Sequence, residues 1–135
     1  TLTFKNGHIK TYGGVHNVGG TFTMEGGLIE GEQTYSLWVN SGMATIKGGE
    51  LLNNKVESVY ASCSGDLTIQ DEGKITSTVT NGLLASGGGT YCDGSEIYVN
   101  GGEITGKTNG LVNNGTGNYI EINGGHILGQ ENNGD

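Results

Sequence analysis

Apolar and polar residues alternate in short bursts along this chain, and the bursts recur. Leu2-Thr3-Phe4, Phe22-Thr23-Met24, Ala44-Thr45-Ile46, Leu67-Thr68-Ile69, Ile97-Tyr98-Val99 and Ile120-Glu121-Ile122 all place a polar residue between two apolar ones. A period of two is what a strand shows when one side lies on a core and the other meets water. After each burst comes a Gly or Gly-Gly turn, where positive φ is wanted. A second short strand follows, whose inward residue is Ile9, Ile29, Leu51, Ile75, Ile104 or Ile127. A third strand is visible in five of the six units, anchored by Val15, Leu37, Val59, Leu83 and Leu111.

The copies begin at positions 2, 22, 44, 67, 97 and 120, in steps of 20, 22, 23, 30 and 23. The third-strand anchors keep pace at 22, 22, 24 and 28. A repeat of this length announces a solenoid, in which each unit buries its apolar side only against its neighbours. Three short strands per coil of about 22 residues predict an all-β, single-stranded right-handed parallel β-helix of about six coils. Each strand then pairs with its counterpart one coil along, at about 4.8 Å. Leucine-rich repeats of similar length would show an L-x-x-L-x-L frame, which is absent, and a β-sandwich with more closely spaced strands is the competing architecture.

Composition changes this picture little. Gly is 28 of 135 residues, but periodic, so the glycines read as turn residues and not as a flexible chain. Six Lys, no Arg and 14 acidic residues give a net charge of -8. That balance excludes nucleic acid, whose phosphates need a basic patch, and an anionic membrane surface. No apolar run approaches the roughly 18 residues of a membrane span. The expectation is one repeat domain over 1–135, a fragment of a larger protein, with the sixth unit stopping at Gly134-Asp135 before its third strand. Its open ends are expected to be covered by flanking domains, a partner or self-association, since bare strand edges pair with other chains.

The fourth coil carries about seven extra residues around 86–95. Cys63 and Cys92 precede Leu67 and Ile97 by four and five residues, which places them at equivalent positions on adjacent coils, close enough for a disulfide. Such a bond implies an exported, oxidising location.

The phrase Asn-Gly-Gly-x-Ile-x-Gly, present from Asn100 to Gly106 and again from Asn123 to Gly129, resembles the β-helical repeats of secreted and wall-attached bacterial proteins. The resemblance covers the whole chain and implies the pectate-lyase-like fold, a secreted or cell-surface setting and no single activity, because the matched residues are turns and core. Lyases and galacturonases of that fold use, as the resemblance implies, Arg or Lys bases or paired Asp. Here Arg is absent and no Asp-Asp pair occurs. Glu96 and Glu121 flank neighbouring strands on one outer face, within the separation that a two-carboxylate hydrolase would require, although a ladder of exposed Glu is what any acidic solenoid shows. The expectation is therefore a non-catalytic adhesion or carbohydrate-binding module, with a polysaccharide-active enzyme or a rigid spacer as the alternatives.

The outward column of the third strand, His16, Trp38, Tyr60, Leu84 and Val112, is too apolar for a solvated face. It is expected to form an aromatic platform for sugar rings or a stripe for a protein partner, flanked by Asn40, Ser58, Ser62 and Ser86, unless a loop of the same chain lies over it. A second candidate face is Glu96, Tyr98, Tyr119 and Glu121 on the last two coils. Asp66, Asp71, Glu72, Asp93 and Glu96 are expected to gather near the disulfide, as a solvated acidic rim or as oxygen ligands for calcium. His8, His16 and His126 fall on different faces or distant coils and make no metal set. The remaining outward columns read as structural: a Thr ladder of Thr3, Thr23, Thr45 and Thr68, and charges alternating through Glu50, Lys74 and Glu103. Asn114-Gly115-Thr116 has the form of a glycosylation sequon.

Overall fold

A computed structural model describes residues 1–87 and 92–130. Part of the fourth-coil insertion and the Gly134-Asp135 end of the sixth unit lie outside the described residues.

The expected alternation becomes strand at each repeat. The first coil holds β1 (Leu2–Phe4), β2 (His8–Thr11) and β3 (Val15–Val18). The second holds β4 (Thr21–Met24), β5 (Leu28–Gly31) and β6 (Leu37–Asn40), and the third β7 (Met43–Ile46), β8 (Glu50–Asn53) and β9 (Val59–Ser62). The fourth comprises β10 (Asp66–Ile69), β11 (Lys74–Ser77) and β12 (Leu83–Ser86). The fifth is β13 (Glu96–Val99), β14 (Glu103–Gly106) and β15 (Leu111–Asn114), and β16 (Tyr119–Ile122) and β17 (His126–Gly129) follow. Among the described residues all pairings are parallel and join each strand to its counterpart one coil along, giving two sheets of six strands and one of five. The chain is an all-β parallel solenoid.

The register is the one the periodicity predicts. Leu67 pairs with Ala44 and Ile97, Ile75 with Leu51 and Ile104, and Leu83 with Val59 and Leu111. The inward residues therefore stack in columns, and Phe22, Met24, Ile29, Leu37, Ile46, Leu51, Leu67, Ile69, Ile75, Leu83, Ile97 and Ile104 are fully buried. Burying each such side chain contributes about 1.5–3 kcal/mol. The columns open at both ends of the described solenoid, where Leu2 is 55% and Ile122 56% exposed.

The corner after the first strand is closed by glycine. Gly49, at φ 79°, sits where a Cβ would come within 2.5 Å of the Gly27 carbonyl oxygen one coil earlier. Positive φ and backbone-to-backbone approach both demand glycine there. The fourth coil carries one extra residue at this corner and solves it differently. Asp71 takes the positive φ, at 55°, and Gly73 N–H donates to the Gln70 carbonyl at 3.1 Å.

At the corner between the second and third sheets the buried groups are polar and are satisfied, as buried polar atoms must be. Asn53 donates to the Thr34 carbonyl at 2.7 Å and accepts from the Lys55 and Val56 amides, each at 2.9 Å. Ser36 accepts from the Gly31 amide and donates to the Leu52 carbonyl. Ser58 was expected beside the aromatic column; its side chain instead turns inward and donates to the Leu51 carbonyl at 2.6 Å. It sits one residue before the strand, so its side chain faces the interior corner.

Cys63 and Cys92 form the expected disulfide, with Cα atoms 4.4 Å apart at a sequence separation of 29. It ties the turn after β9 to the chain entering β13, across the coil that carries the insertion.

Candidate ligand-binding face

The third sheet places His16, Trp38, Tyr60, Leu84 and Val112 side by side on its outer surface, through the pairings His16 to Trp38, Trp38 to Tyr60, Tyr60 to Leu84 and Leu84 to Val112. His16 and Trp38 stack nearly parallel, with ring centroids 4.3 Å apart and planes at 14°. Trp38 and Tyr60 do not form the flat tier that a simple strand spacing predicts. Their centroids are 5.7 Å apart and their planes 62° apart. An edge-to-face contact suits the ring quadrupoles better than a face-to-face sandwich.

The sequence does not single out Tyr35, which completes the cluster. Its ring stacks on Tyr60 at 4.7 Å and 18°, and meets Trp38 edgewise at 6.0 Å. The loop between β5 and β6 that carries it is seated on the first coil. Gly14, at φ 73°, lies where any Cβ would be 1.8 Å from the Tyr35 carbonyl oxygen. Thr34 Oγ1 donates to the Gly13 carbonyl at 2.8 Å, and the Val15 amide to the Ser36 carbonyl at 2.9 Å. A loop of the same chain therefore covers part of the stripe, and itself adds an aromatic ring. Burial raises the Tyr35 pKa above its ordinary 10.0, aided by the neighbouring Tyr60 and Glu57, so its hydroxyl keeps its proton.

The flanking polar groups divide. Ser62 accepts the Trp38 indole N–H at 2.8 Å, while beside Asn40, paired in register with Ser62, the Ser41 hydroxyl donates to the Cys63 carbonyl at 2.6 Å. Ser86 is half-buried at the end of β12, in register with Asn114.

The second candidate face is assembled as expected on β13 and β16. Glu96 pairs with Tyr119 and Tyr98 with Glu121, so acid and phenol alternate both along and across the strands. Each tyrosine donates to the acid on its own strand, Tyr98 to Glu96 at 3.1 Å and Tyr119 to Glu121 at 2.6 Å. Asn123 Nδ2 donates to Glu121 at 2.7 Å and to Asn100 Oδ1 at 2.9 Å. The hydrogen bonds from Tyr119 and then Asn123 lower the Glu121 pKa below its ordinary 4.5. The bond to Glu121 leads the causes that raise Tyr119, and the bond to Glu96 those that raise Tyr98. A general acid for glycoside cleavage needs a raised carboxyl pKa, the opposite direction.

Of the acidic residues expected to gather near the disulfide, Asp66, Asp93 and Glu96 lie on the chain segments beside it, whereas Asp71 lies apart. Asp66 and Asp71 lie at or just beyond opposite ends of β10, which at about 3.3 Å per residue puts them about 15 Å apart. Asp66 Oδ1 accepts the Glu96 amide at 3.2 Å, and Asp71 accepts from Gln70 at 3.1 Å. Asp93 is exposed and uses its carbonyl to accept the Ser64 amide. Among the described residues no three of His, Cys, Asp and Glu group closely enough to hold a metal ion. The charge-alternating column of Glu50, Lys74 and Glu103 keeps its register but makes no ion pair among the described residues. Glu50 accepts from Thr76 and Glu103 from Thr105.

Compared with family models, curated proteins and solved structures, the chain has no match in any of the three. What fold and site define is a class, the disulfide-stapled parallel β-solenoid with an aromatic cluster on its third sheet. Among the described residues no helix is long and apolar enough to cross a membrane.

Proposed function

We propose that the chain is a non-catalytic carbohydrate-binding or adhesive module of a secreted or cell-surface protein, and that it holds its ligand along the ridge formed by His16, Trp38, Tyr60 and Tyr35. The observation that carries this reading is the ring cluster itself. Folding alone gives no reason to place four aromatic rings outside a solenoid whose core is already filled by apolar columns. The Trp38 N–H is spent on Ser62, so the ridge offers ring edges and the outer ring surfaces, with the Tyr35 hydroxyl and Asn40 at hand for sugar hydroxyls. Rigid aromatic surface with a few polar groups beside it suits saccharides, because it adds contact area at little cost in conformational entropy. The disulfide supports an oxidising, exported setting. The Asn-Gly-Gly repeat phrase supports a right-handed, pectate-lyase-like β-helix of bacterial surface origin.

The test is a glycan and polysaccharide array with the intact chain and with Trp38→Ala, each with and without calcium. Binding that disappears in the variant, with its melting temperature retained, supports the reading. Absence of binding to any glycan would overturn it, and would leave the ridge to a protein contact or the chain to a spacer role.

A further inference from the structure

The corner that follows the second strand bears a feature that the aromatic ridge does not explain. On the first three coils it forms a depression of ≈ 240 Å³, with Tyr12 at its wall and Lys10, Glu30, Glu32, Gln33 and Lys55 around it. We propose that this depression is a separate subsite for a single neutral pyranose ring. It extends the carbohydrate-binding reading given above and is tested apart from it.

The backbone fixes the site. Lys10 and Glu30 are register partners on β2 and β5, so their side chains stand next to each other on the outer surface. The turn of the second coil is laid on that of the first by two hydrogen bonds, Glu32 N–H to the Thr11 carbonyl at 2.9 Å and Gln33 N–H to the Tyr12 carbonyl at 3.2 Å. Tyr12 itself is 70% exposed, an aromatic ring that adds nothing to the core.

The charges in the depression come in equal numbers, Lys10 and Lys55 against Glu30 and Glu32. Lys10 reaches Glu32 at 3.4 Å, and Glu30 takes a hydrogen bond from His8 at 2.5 Å. Each carboxylate retains acceptor capacity beyond these contacts. The Lys55 ammonium and the Gln33 side-chain amide make no hydrogen bond among the described residues. An anionic ligand would meet two carboxylates and a cationic one two ammonium groups, whereas a neutral ligand with several hydroxyls uses donors and acceptors of both kinds. The Tyr12 ring supplies an apolar surface for the C–H face of a sugar. The volume is below the roughly 300–1,000 Å³ of sites for drug-sized ligands and suits one ring. Gln33 and Tyr35 share one turn, so a chain lying on the aromatic ridge can present a terminal ring here.

The experiment is an amide NMR titration of the intact chain with glucose, galactose, mannose and N-acetylglucosamine, repeated with Tyr12→Ala. The expected result is that at least one sugar shifts the Gly31, Gln33 and Lys55 amides and that Tyr12→Ala weakens this binding about tenfold. The proposal is overturned if none of the four sugars moves those amides, if Tyr12→Ala retains full affinity, or if glucuronate or glucosamine binds more tightly than glucose. Failure of the ridge reading shows elsewhere, as an unmoved Trp38 indole resonance when longer oligosaccharides are added.

Discussion

The indole N–H of Trp38 on β6 donates to the hydroxyl of Ser62 at the end of β9, one coil along, across 2.8 Å. This bond runs along the solenoid axis outside the backbone ladder and sets the ring's tilt. With its nitrogen engaged and His16 stacked on one side, Trp38 has little freedom left to rotate, and the cluster is organised before any ligand arrives. Pre-organisation of this kind lowers the entropic cost of binding.

Ser62→Ala therefore is expected to loosen the ring more than the fold. Trp38 is only half-buried, so water can replace the lost acceptor, and the expected destabilisation is about 1 kcal/mol. Urea unfolding followed by circular dichroism measures that cost. The indole proton resonance, moving towards its solvent-exposed position, reports the freed N–H. A ligand held by the ridge would bind Ser62→Ala more weakly than the parent.

Gly49→Ala and Gly13→Ala test the closed corner against an open one. The first forces a Cβ to 2.5 Å from the Gly27 oxygen at a positive φ, whereas a Cβ on Gly13 meets nothing within 4 Å. Gly49→Ala is expected to cost more than about 2 kcal/mol, through strain and the forced separation of adjacent coils. Gly13→Ala should stay within about 0.5 kcal/mol of the parent. Thermal melts of the two variants side by side provide the check.

Reduction of Cys63–Cys92 frees a segment with 29 residues of separation. In the chain-entropy account the bond contributes about 3–4 kcal/mol. A double Cys63→Ser, Cys92→Ser variant is thus expected to remain a solenoid by circular dichroism but to unfold at a clearly lower denaturant concentration. The parent treated with a reductant should behave like the variant.

The Tyr119 and Glu121 pair gives opposite responses at the two ends of the pH scale. Glu121 is depressed in the folded chain, so its contribution to stability is present above its unfolded pKa and is lost as pH falls through the folded value. Tyr119 is raised, so its contribution is present below about pH 10 and is lost as pH rises through the folded value. Glu121→Gln removes the carboxylate that leads the causes of the Tyr119 shift, and should return that phenol towards its ordinary titration. An ultraviolet tyrosinate titration of parent and variant decides this. Unchanged curves would show that the Tyr119 to Glu121 hydrogen bond does not govern the phenol.

The columns were legible in the sequence because a solenoid is built from nearest-neighbour contacts, so that spacing along the chain translates directly into adjacency. Leu67 above Ala44 and Trp38 beside Tyr60 follow from counting. What counting could not supply was the geometry of corners and rings. Tyr35 sits in a loop whose path is set by its seat on Gly14, and no periodicity announces it. Ser58 lies one residue outside β9, where alternation no longer says which way a side chain points. The tilt between Trp38 and Tyr60 comes from ring electrostatics and the Ser62 hydrogen bond, neither of which has a period. Asp71 parts from Asp66 for a related reason, since residues close in sequence can sit at opposite ends of one strand.

The glycine corner also decides where this molecule can change without losing its shape. Along the edge held by Gly27, Gly49 and Gly102 the backbones touch, leaving no volume for side chains, and the one added residue there is absorbed only by a different turn at Asp71. The edge after the third strand is packed closely too, since a Cβ on Gly65 would come within 2.2 Å of the Val39 carbonyl oxygen, yet it is between β12 and β13, at that edge, that the fourth coil carries its long insertion. Added length, whether from evolution or from grafted peptides, thus has its precedent at that edge, while the glycine edge has absorbed a single residue.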